Sequence, residues 1–199
     1  MIRPRFPLAL VFALALAACA SAPVHYYTLI APATTQAVTN TQTAPFQFEL
    51  LPVGIPAQAD QPQLVIRQGG QGVVPLDSER WIAPLAQELR GALSADLAQA
   101  MRTQDATGLS GGKPRLRIKV DLRRFDSAPG DYALIDAAWS LRLLQGDASL
   151  ACTSQVREPV GPGYDALVEG HQRALARLAG EIAQVAGPLA AGRSPACPR

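Results

Sequence analysis

Side chains that could do chemistry are few in this 199-residue chain. Histidine occurs only at His25 and His171, and cysteine only at Cys19, Cys152 and Cys197. Neither histidine belongs to a metal-binding spacing of the HExxH kind, and no two cysteines form a CxxC pair. A GxxxxGK(S/T) phosphate loop and a GxGxxG motif after a strand are also missing. This pattern predicts a protein without metal or cofactor and leaves few candidate residues for catalysis.

The N-terminal residues predict a secretory signal that ends at a lipid-carrying cysteine. Residues 1–7 include two arginines, and residues 8–18 are an unbroken apolar run. A helix of that length covers about 16 Å, roughly half of a bilayer's hydrocarbon core, so it is too short to span. Small residues before Cys19, with Leu16 at the third place before it, form the lipobox pattern of bacterial lipoproteins. Cys19 would then carry two or three acyl chains as a permanent anchor. The alternative is an ordinary cleaved signal beside a coincidental cysteine.

The predicted signal also explains the net charge of +2, which results from 18 basic and 16 acidic side chains. Removal of residues 1–18 takes Arg3 and Arg5 and no acid, leaving sixteen of each sign. A neutral mature chain has no overall attraction for nucleic acid or anionic lipid. One strand segment of the mature chain still has a row of cations at alternating positions, which is typical of a solvated sheet face. Asp121 interrupts this row, and Asp136 can form an ion pair with it. The row consists of Arg115, Arg117, Lys119 and Arg123. We therefore expect no nucleic-acid partner.

The cellular compartment predicts the state of the other two cysteines. Ala20 follows Cys19 where an aspartate would favour retention in the inner membrane, so the outer membrane and its periplasmic face are favoured. Because the periplasm oxidises thiols, we expect Cys152 and Cys197 to form a disulfide that fastens the tail at residues 194–199. The alternative is a pair of separate reduced thiols.

Two segments have the period of amphipathic helices. Residues 81–101 place their apolar side chains on one stripe, and residues 164–186 do the same before Gly187 and Pro188. The first stripe consists of Ile82, Leu85, Leu89, Leu93, Leu97 and Met101. The second consists of Leu167, Val168, Leu175, Leu178, Ile182 and Val185. We expect His171, close to the second stripe, to be a core-edge or interface residue rather than a base or ligand.

Period-two alternation and β-branched or aromatic residues predict the strands. Three of them form an antiparallel meander joined by turns, at residues 115–123, 132–144 and 149–156. Shorter strands are predicted at residues 25–30, 46–53 and 63–67. An uncharged stretch of small, polar and proline residues predicts a flexible loop at 31–45. The order predicts an α/β fold of the α+β type, with one domain at residues 19–199. In it, two long helices pack on one face of a mainly antiparallel sheet.

Short strings in the mature chain carry a resemblance to a known family. They are YYTL at 26–29, LPVGIP at 51–56, DQPQLV at 60–65, RW at 80–81, PL at 84–85, RFD at 124–126, PG at 129–130, Trp139 and YDALV at 164–168. In combination they resemble the ABC-type transport auxiliary lipoproteins, the PqiC/YmbA-like family. The resemblance covers nearly the whole mature chain.

The resemblance implies a small, non-enzymatic outer-membrane lipoprotein with an α/β fold, which forms homo-oligomers. Its implied role is that of accessory or docking partner to MCE-domain proteins and their ABC transporter, which move phospholipid or other hydrophobic cargo between the two bacterial membranes. Cys19 would be the anchor. The loop at 55–64 together with the tryptophan at 81 would be a partner or self-assembly surface. The candidate residues of this surface are Pro56, Asp60, Gln61, Pro62, Leu64 and Trp81.

Alternatives to these implied roles stay open. From the residues alone, Pro56 and Pro62 only stiffen an extended loop, and Trp81 is equally well explained as the first core residue of its helix. The chain could also be a stand-alone envelope lipoprotein that binds a hydrophobic ligand in its own pocket, or a hydrolase.

Overall fold

The structure, a computed structural model, describes residues 23–32, 43–109 and 113–198. The predicted signal at 1–18, Cys19 and residues 33–42 of the predicted loop lie outside these ranges. The strands are β1 (His25–Tyr27), β2 (Gln47–Leu50), β3 (Gln63–Arg67), β4 (Val73–Trp81), β5 (Arg115–Ala128), β6 (Tyr132–Leu143) and β7 (Ser149–Pro159). The α-helices are α1 (Leu85–Met101) and α2 (Tyr164–Ala190). Within the described residues, neither helix is both long enough and apolar enough to cross a membrane.

The larger sheet has four strands in the order β2-β5-β6-β7. Strands β5, β6 and β7 form the predicted antiparallel meander, with Val120 opposite Trp139 and Trp139 opposite Cys152. Strand β2 joins the meander in parallel, with Phe48 beside Leu116. The inward side chains of β5 alternate as the period-two pattern predicts, and Leu116, Ile118, Val120 and Leu122 are all buried.

The remaining strands form a second sheet in the order β1-β4-β3. Strand β1 runs parallel to β4 and places Tyr26 beside Arg80, whereas β3 and β4 form an antiparallel hairpin. The predicted α+β class and the single domain are therefore correct, but the strands are divided between two sheets. Each sheet contains one parallel pair, because its N-terminal strand returns to a distant part of the chain.

The two helices and the meander share one hydrophobic core. Helix α2 packs on β5, β6 and β7, and α1 packs beside α2. The predicted stripe of α1 is buried from Leu85 to Met101. Ile82 is an exception, since it lies before the helix and is 61% exposed.

The start of α1 corrects the predicted helix at 81–101. Trp81 is the last residue of β4, and the helix begins at Leu85 after Pro84. Strand β4 was not predicted, because most of its residues between Val73 and Trp81 are polar or proline and lack a continuous apolar face.

The end of α2 also differs from the prediction. The helix continues through Gly187 and Pro188 to Ala190. Leu189, which is 1% exposed, packs into the core, and its burial offsets the hydrogen bond that Pro188 cannot donate.

The C-terminal tail returns from α2 to the edge strand β7. Cys152 on β7 is buried, and its sulfur is bonded to that of Cys197, 45 residues further along the chain. Residues 191–198 are thereby fastened beside an edge of the larger sheet.

Candidate functional site

A buried glutamate on β4 binds the side chains of β1. Glu79 is 8% exposed and accepts a hydrogen bond of 2.7 Å from the Tyr27 hydroxyl. Its other oxygen lies 3.0 Å from Nδ1 of His25. Burial by itself raises the pKa of Glu79, but the hydrogen bonds from His25 and Tyr27 outweigh it and hold the pKa below its ordinary value. Burial raises the pKa of the Tyr27 hydroxyl, and the contact with Glu79 raises it further. Glu79 is therefore an ionised partner that fixes β1.

A second buried glutamate, on α1, binds the residues that follow β1. Glu88 is 4% exposed, and its Oε2 accepts hydrogen bonds from the Thr28 hydroxyl at 2.7 Å and from the Leu29 backbone N–H at 2.9 Å. Gln172 of α2 donates to the Thr28 carbonyl at 3.2 Å. Leu29 itself is buried in the core. Both helices and the smaller sheet thus hold this segment.

We call residues 25–29 together with Glu79 and Glu88 the N-terminal clasp. The clasp begins six residues after Cys19 and fixes the position of residues 25–29 on the domain. The periodicity of the sequence does not predict this clasp. One signal was present, because Glu88 falls three residues after Leu85 and directly before Leu89, which places a charge on the apolar stripe of α1.

The predicted partner loop is partly exposed. Pro56 begins a short 3₁₀ helix at Ala57–Ala59, and both Asp60 and Pro62 are exposed. Gln61 is half-buried and donates to the carbonyl of Gln58 at 3.0 Å. The loop is also bonded to β4, because the Trp81 N–H donates to the Pro62 carbonyl at 2.9 Å. Pro56, Asp60, Gln61 and Pro62 are therefore available as an ordered surface.

Two residues of the predicted surface belong to the core instead. Leu64 on β3 is 2% exposed and Trp81 is 5% exposed. The Trp81 ring meets the Phe125 ring edge to face, with 6.1 Å between their centroids. Their burial does not fit a partner or self-assembly surface, and for Trp81 it favours the alternative of a core residue. Burial of an apolar side chain at the end of β4 accounts for Trp81.

Three of the four cations in the row on the larger sheet, all except Arg115, form ion pairs within the described residues. Arg117 lies 3.3 Å from Glu49 on β2, and Lys119 lies 2.8 Å from Asp121 on the same strand. Arg123 forms an ion pair with Asp136 on β6, as the spacing predicted. These pairs reduce the positive potential that a phosphate backbone would require.

A serine and a histidine meet inside the domain. The Ser127 hydroxyl lies 2.8 Å from Nε2 of His171, whose ring stacks on Phe125 at 4.0 Å between centroids. Ser127 is 4% exposed and His171 is fully buried, and Nδ1 of His171 has no hydrogen-bond partner among the described residues. A nucleophile and base need both access to substrate and a third group that orients the base. Neither is present among the described residues, so we interpret the pair as a packing feature of the core. His171 lies deeper than the predicted core-edge position.

Burial lowers the pKa of His171 to about 3, although the charge of Asp126 opposes the shift. An unfolded histidine has a pKa near 6.5, so protons bind the unfolded chain more readily. Stability is therefore complete above about pH 6.5 and is lost as the pH falls toward 3. We expect the protein to lose about 3 kcal/mol more than the His171→Gln variant between pH 7 and pH 4. Urea unfolding at each pH measures this difference. The carboxylates are the same in both proteins, and parallel pH profiles would contradict the prediction.

A five-residue string between α1 and β5 has the GxSxG spacing of serine hydrolases, namely Gly108 to Gly112 with Ser110 at its centre. In those enzymes the motif joins a strand to a following helix. Here the order is reversed, since the string follows a helix and precedes a strand. Ser110 lies outside the described residues. The chain order therefore does not support a nucleophile elbow.

A shallow open groove of about 650 Å³ lies between the larger sheet and Pro198, and the Lys119–Asp121 ion pair forms part of its wall. An enclosed apolar pocket would suit a lipid better. Within residues 23–32, 43–109 and 113–198, no three His, Cys, Asp or Glu side chains cluster as metal ligands would.

Comparisons with known proteins agree with this architecture. Residues 27–183 match the family model described as ABC-type transport auxiliary lipoprotein component. A crystal structure of an uncharacterised protein superposes with a TM-score of 0.66 at 18% identity, covering 81% of this chain and 97% of that one. A Xanthomonas campestris protein of family DUF330 superposes with a TM-score of 0.63 at 14% identity, covering 84% and 98%. At these identities the two structures show a shared fold. The chain matches none of the curated protein sequences.

Proposed function

This chain belongs to the family of ABC-type transport auxiliary lipoproteins, and from that premise we propose that it is the outer-membrane docking component of an MCE-type transport system. In this role it receives the end of a periplasm-spanning complex that moves phospholipid or other hydrophobic cargo between the membranes. The observation that carries the proposal is the match over residues 27–183, which begins inside the N-terminal clasp and includes both helices up to residue 183 of α2.

The anchor of the proposed component is Cys19, acylated at the periplasmic face of the outer membrane. The N-terminal clasp supports this arrangement, because two buried glutamates hold the chain that arrives from Cys19. A domain tied in this way keeps one orientation toward the membrane instead of rotating on a free linker. A docking component needs such an orientation if its partner approaches from the periplasm.

The proposed contact surface for the MCE protein, or for neighbouring copies of the chain in a homo-oligomer, is the loop with Pro56, Asp60, Gln61 and Pro62. The loop is partly exposed, yet it is bonded to β4 and stiffened by two prolines. An ordered loop loses less conformational entropy on binding than a free one. The role is proposed to be non-catalytic, in agreement with the inaccessible Ser127 and His171 pair.

The proposal predicts that the protein co-purifies with an MCE-domain protein from crosslinked, detergent-solubilised membranes. Asp60→Arg reverses an exposed charge in the loop and is expected to lower recovery of the partner roughly tenfold, the change that about 1.4 kcal/mol produces. Quantitative mass spectrometry of the purified complex measures the recovery.

The matched control for that experiment is Asp147→Arg. Asp147 is exposed in the turn between β6 and β7, which lies beside the start of β5. The loop that contains Asp60 comes after Gly54, which pairs with Asp121 in the middle of β5. The two aspartates therefore lie in different parts of the surface. Failure to recover any MCE protein with the unsubstituted chain would refute the docking role. An equal loss of MCE protein with both variants would show that the loop is not the contact surface. Co-purified lipid without an MCE protein would instead favour a stand-alone lipid-binding protein.

A further inference from the structure

An apolar face with a central tyrosine lies on the outer side of β1. Tyr26 is 59% exposed, Ile82 is 61% exposed and Val24, directly before β1, is 42% exposed. Arg80 is half-buried and lies beside Tyr26 in the parallel register. We call Val24, Tyr26, Arg80 and Ile82 the N-terminal face. Exposed large apolar side chains grouped in this way mark a contact surface.

The clasp determines which side chains of β1 point outward. His25 and Tyr27 both turn toward Glu79, so Tyr26 between them points to the opposite side of the sheet. The Ile82 N–H donates to the Tyr27 carbonyl, which extends the pairing of β1 with β4 by one residue. Tyr26, Arg80 and Ile82 are therefore neighbours on one surface.

The chemistry of the N-terminal face suits the boundary between a phospholipid headgroup layer and its acyl chains. Tyrosine is enriched at that depth because its ring is apolar and its hydroxyl is polar. Among the described residues, Arg80 has no carboxylate in ion-pair range and donates only to the Asp77 carbonyl at 3.3 Å. An arginine with an apolar stem and a free guanidinium can bind a lipid phosphate.

We infer that the N-terminal face lies against the phospholipid leaflet that holds the anchor. The inference rests on the acylation of Cys19 in the proposed function. Val24 lies five positions after Cys19, and a chain of that length reaches at most about 18 Å. A domain of this size is on the order of 40 Å across, so the anchor cannot pass around it to another side. Because the clasp prevents β1 from turning over, the same face meets the bilayer in every molecule.

Tryptophan fluorescence tests this placement in the full lipidated chain. The native tryptophans, Trp81 and Trp139, are buried, so Tyr26→Trp introduces a reporter on the N-terminal face. The protein is reconstituted in vesicles of phosphatidylethanolamine and phosphatidylglycerol that contain dibrominated phosphatidylcholine. We expect the brominated lipid to quench Tyr26→Trp several-fold more strongly than the matched control Val73→Trp. Val73 is 53% exposed at the other end of β4, on the order of 20 Å away.

The outcomes separate this inference from the proposed function. The mass of the N-terminal peptide shows whether Cys19 is acylated in the same sample. Acylated protein whose two variants are quenched equally, or whose Tyr26→Trp is not quenched, overturns the inference and leaves the anchor intact. Crosslinking of the face to a protein partner without lipid quenching also overturns it. An unmodified Cys19 overturns both the inference and the proposed anchor.

Discussion

The Cys19→Ala variant is expected to lose membrane association completely when it is exported behind an ordinary cleavable signal. Two or three acyl chains act together as an effectively irreversible anchor, whereas the mature chain without them has a net charge of zero. The N-terminal face is too small to replace such an anchor, since it has only three exposed apolar side chains. The variant should therefore move from the sedimented membranes to the soluble periplasmic fraction.

The control for this experiment is the unsubstituted chain with its own signal, which should float with the outer membrane in a density gradient. The N-terminal clasp lies beyond Cys19, so the released variant should keep the fold and the unfolding midpoint of the lipidated protein. Sedimentation of the released variant with outer membranes would contradict the role of Cys19. It would show that the protein surface alone provides the attachment.

The sequence predicts those parts of the fold whose signal is local. Strand β5 alternates apolar and polar side chains over residues 115–123, and β6 alternates over its second half, so pattern alone predicts the meander and the buried Leu116. Strand β4 lacks that alternation. Its place depends on pairing with β1 and β3, and the pairing with β1 joins residues more than fifty positions apart. The periodicity of a single segment contains no information about such long-range pairings.

The candidate site was less predictable than the fold, because its residues act over long separations. Glu79 has ordinary sequence surroundings for a surface acid, and Glu88 is marked only by its place on the apolar stripe of α1. Only the return of residues 25–29 gives the two glutamates their partners. Trp81 and Leu64 were assigned to a surface by resemblance, yet their burial follows from the way β3 and β4 close over the core. Short strings that mark a family therefore include core residues as well as surface residues.

Loss of the disulfide is expected to reduce stability by about 4 kcal/mol, on the model in which a crosslink restricts the unfolded chain. The Cys152→Ala, Cys197→Ala double variant releases a loop closed across 45 residues and frees the tail from the edge strand β7. Urea unfolding under oxidising conditions measures the loss. Part of the effect comes from packing, because Cys152 is buried, and reduction of the unsubstituted protein separates that part by breaking the bond without changing a residue.

Dithiothreitol should therefore lower the unfolding midpoint of the unsubstituted protein nearly to that of the double variant, and it should leave the variant's midpoint unchanged. Mass spectrometry after alkylation without reduction gives an independent count of free thiols. Two alkylated cysteines in the mature non-reduced protein would contradict the bond. An intact bond whose reduction leaves the midpoint unchanged would contradict the stabilising role. In that case, contacts other than the disulfide hold the tail beside β7.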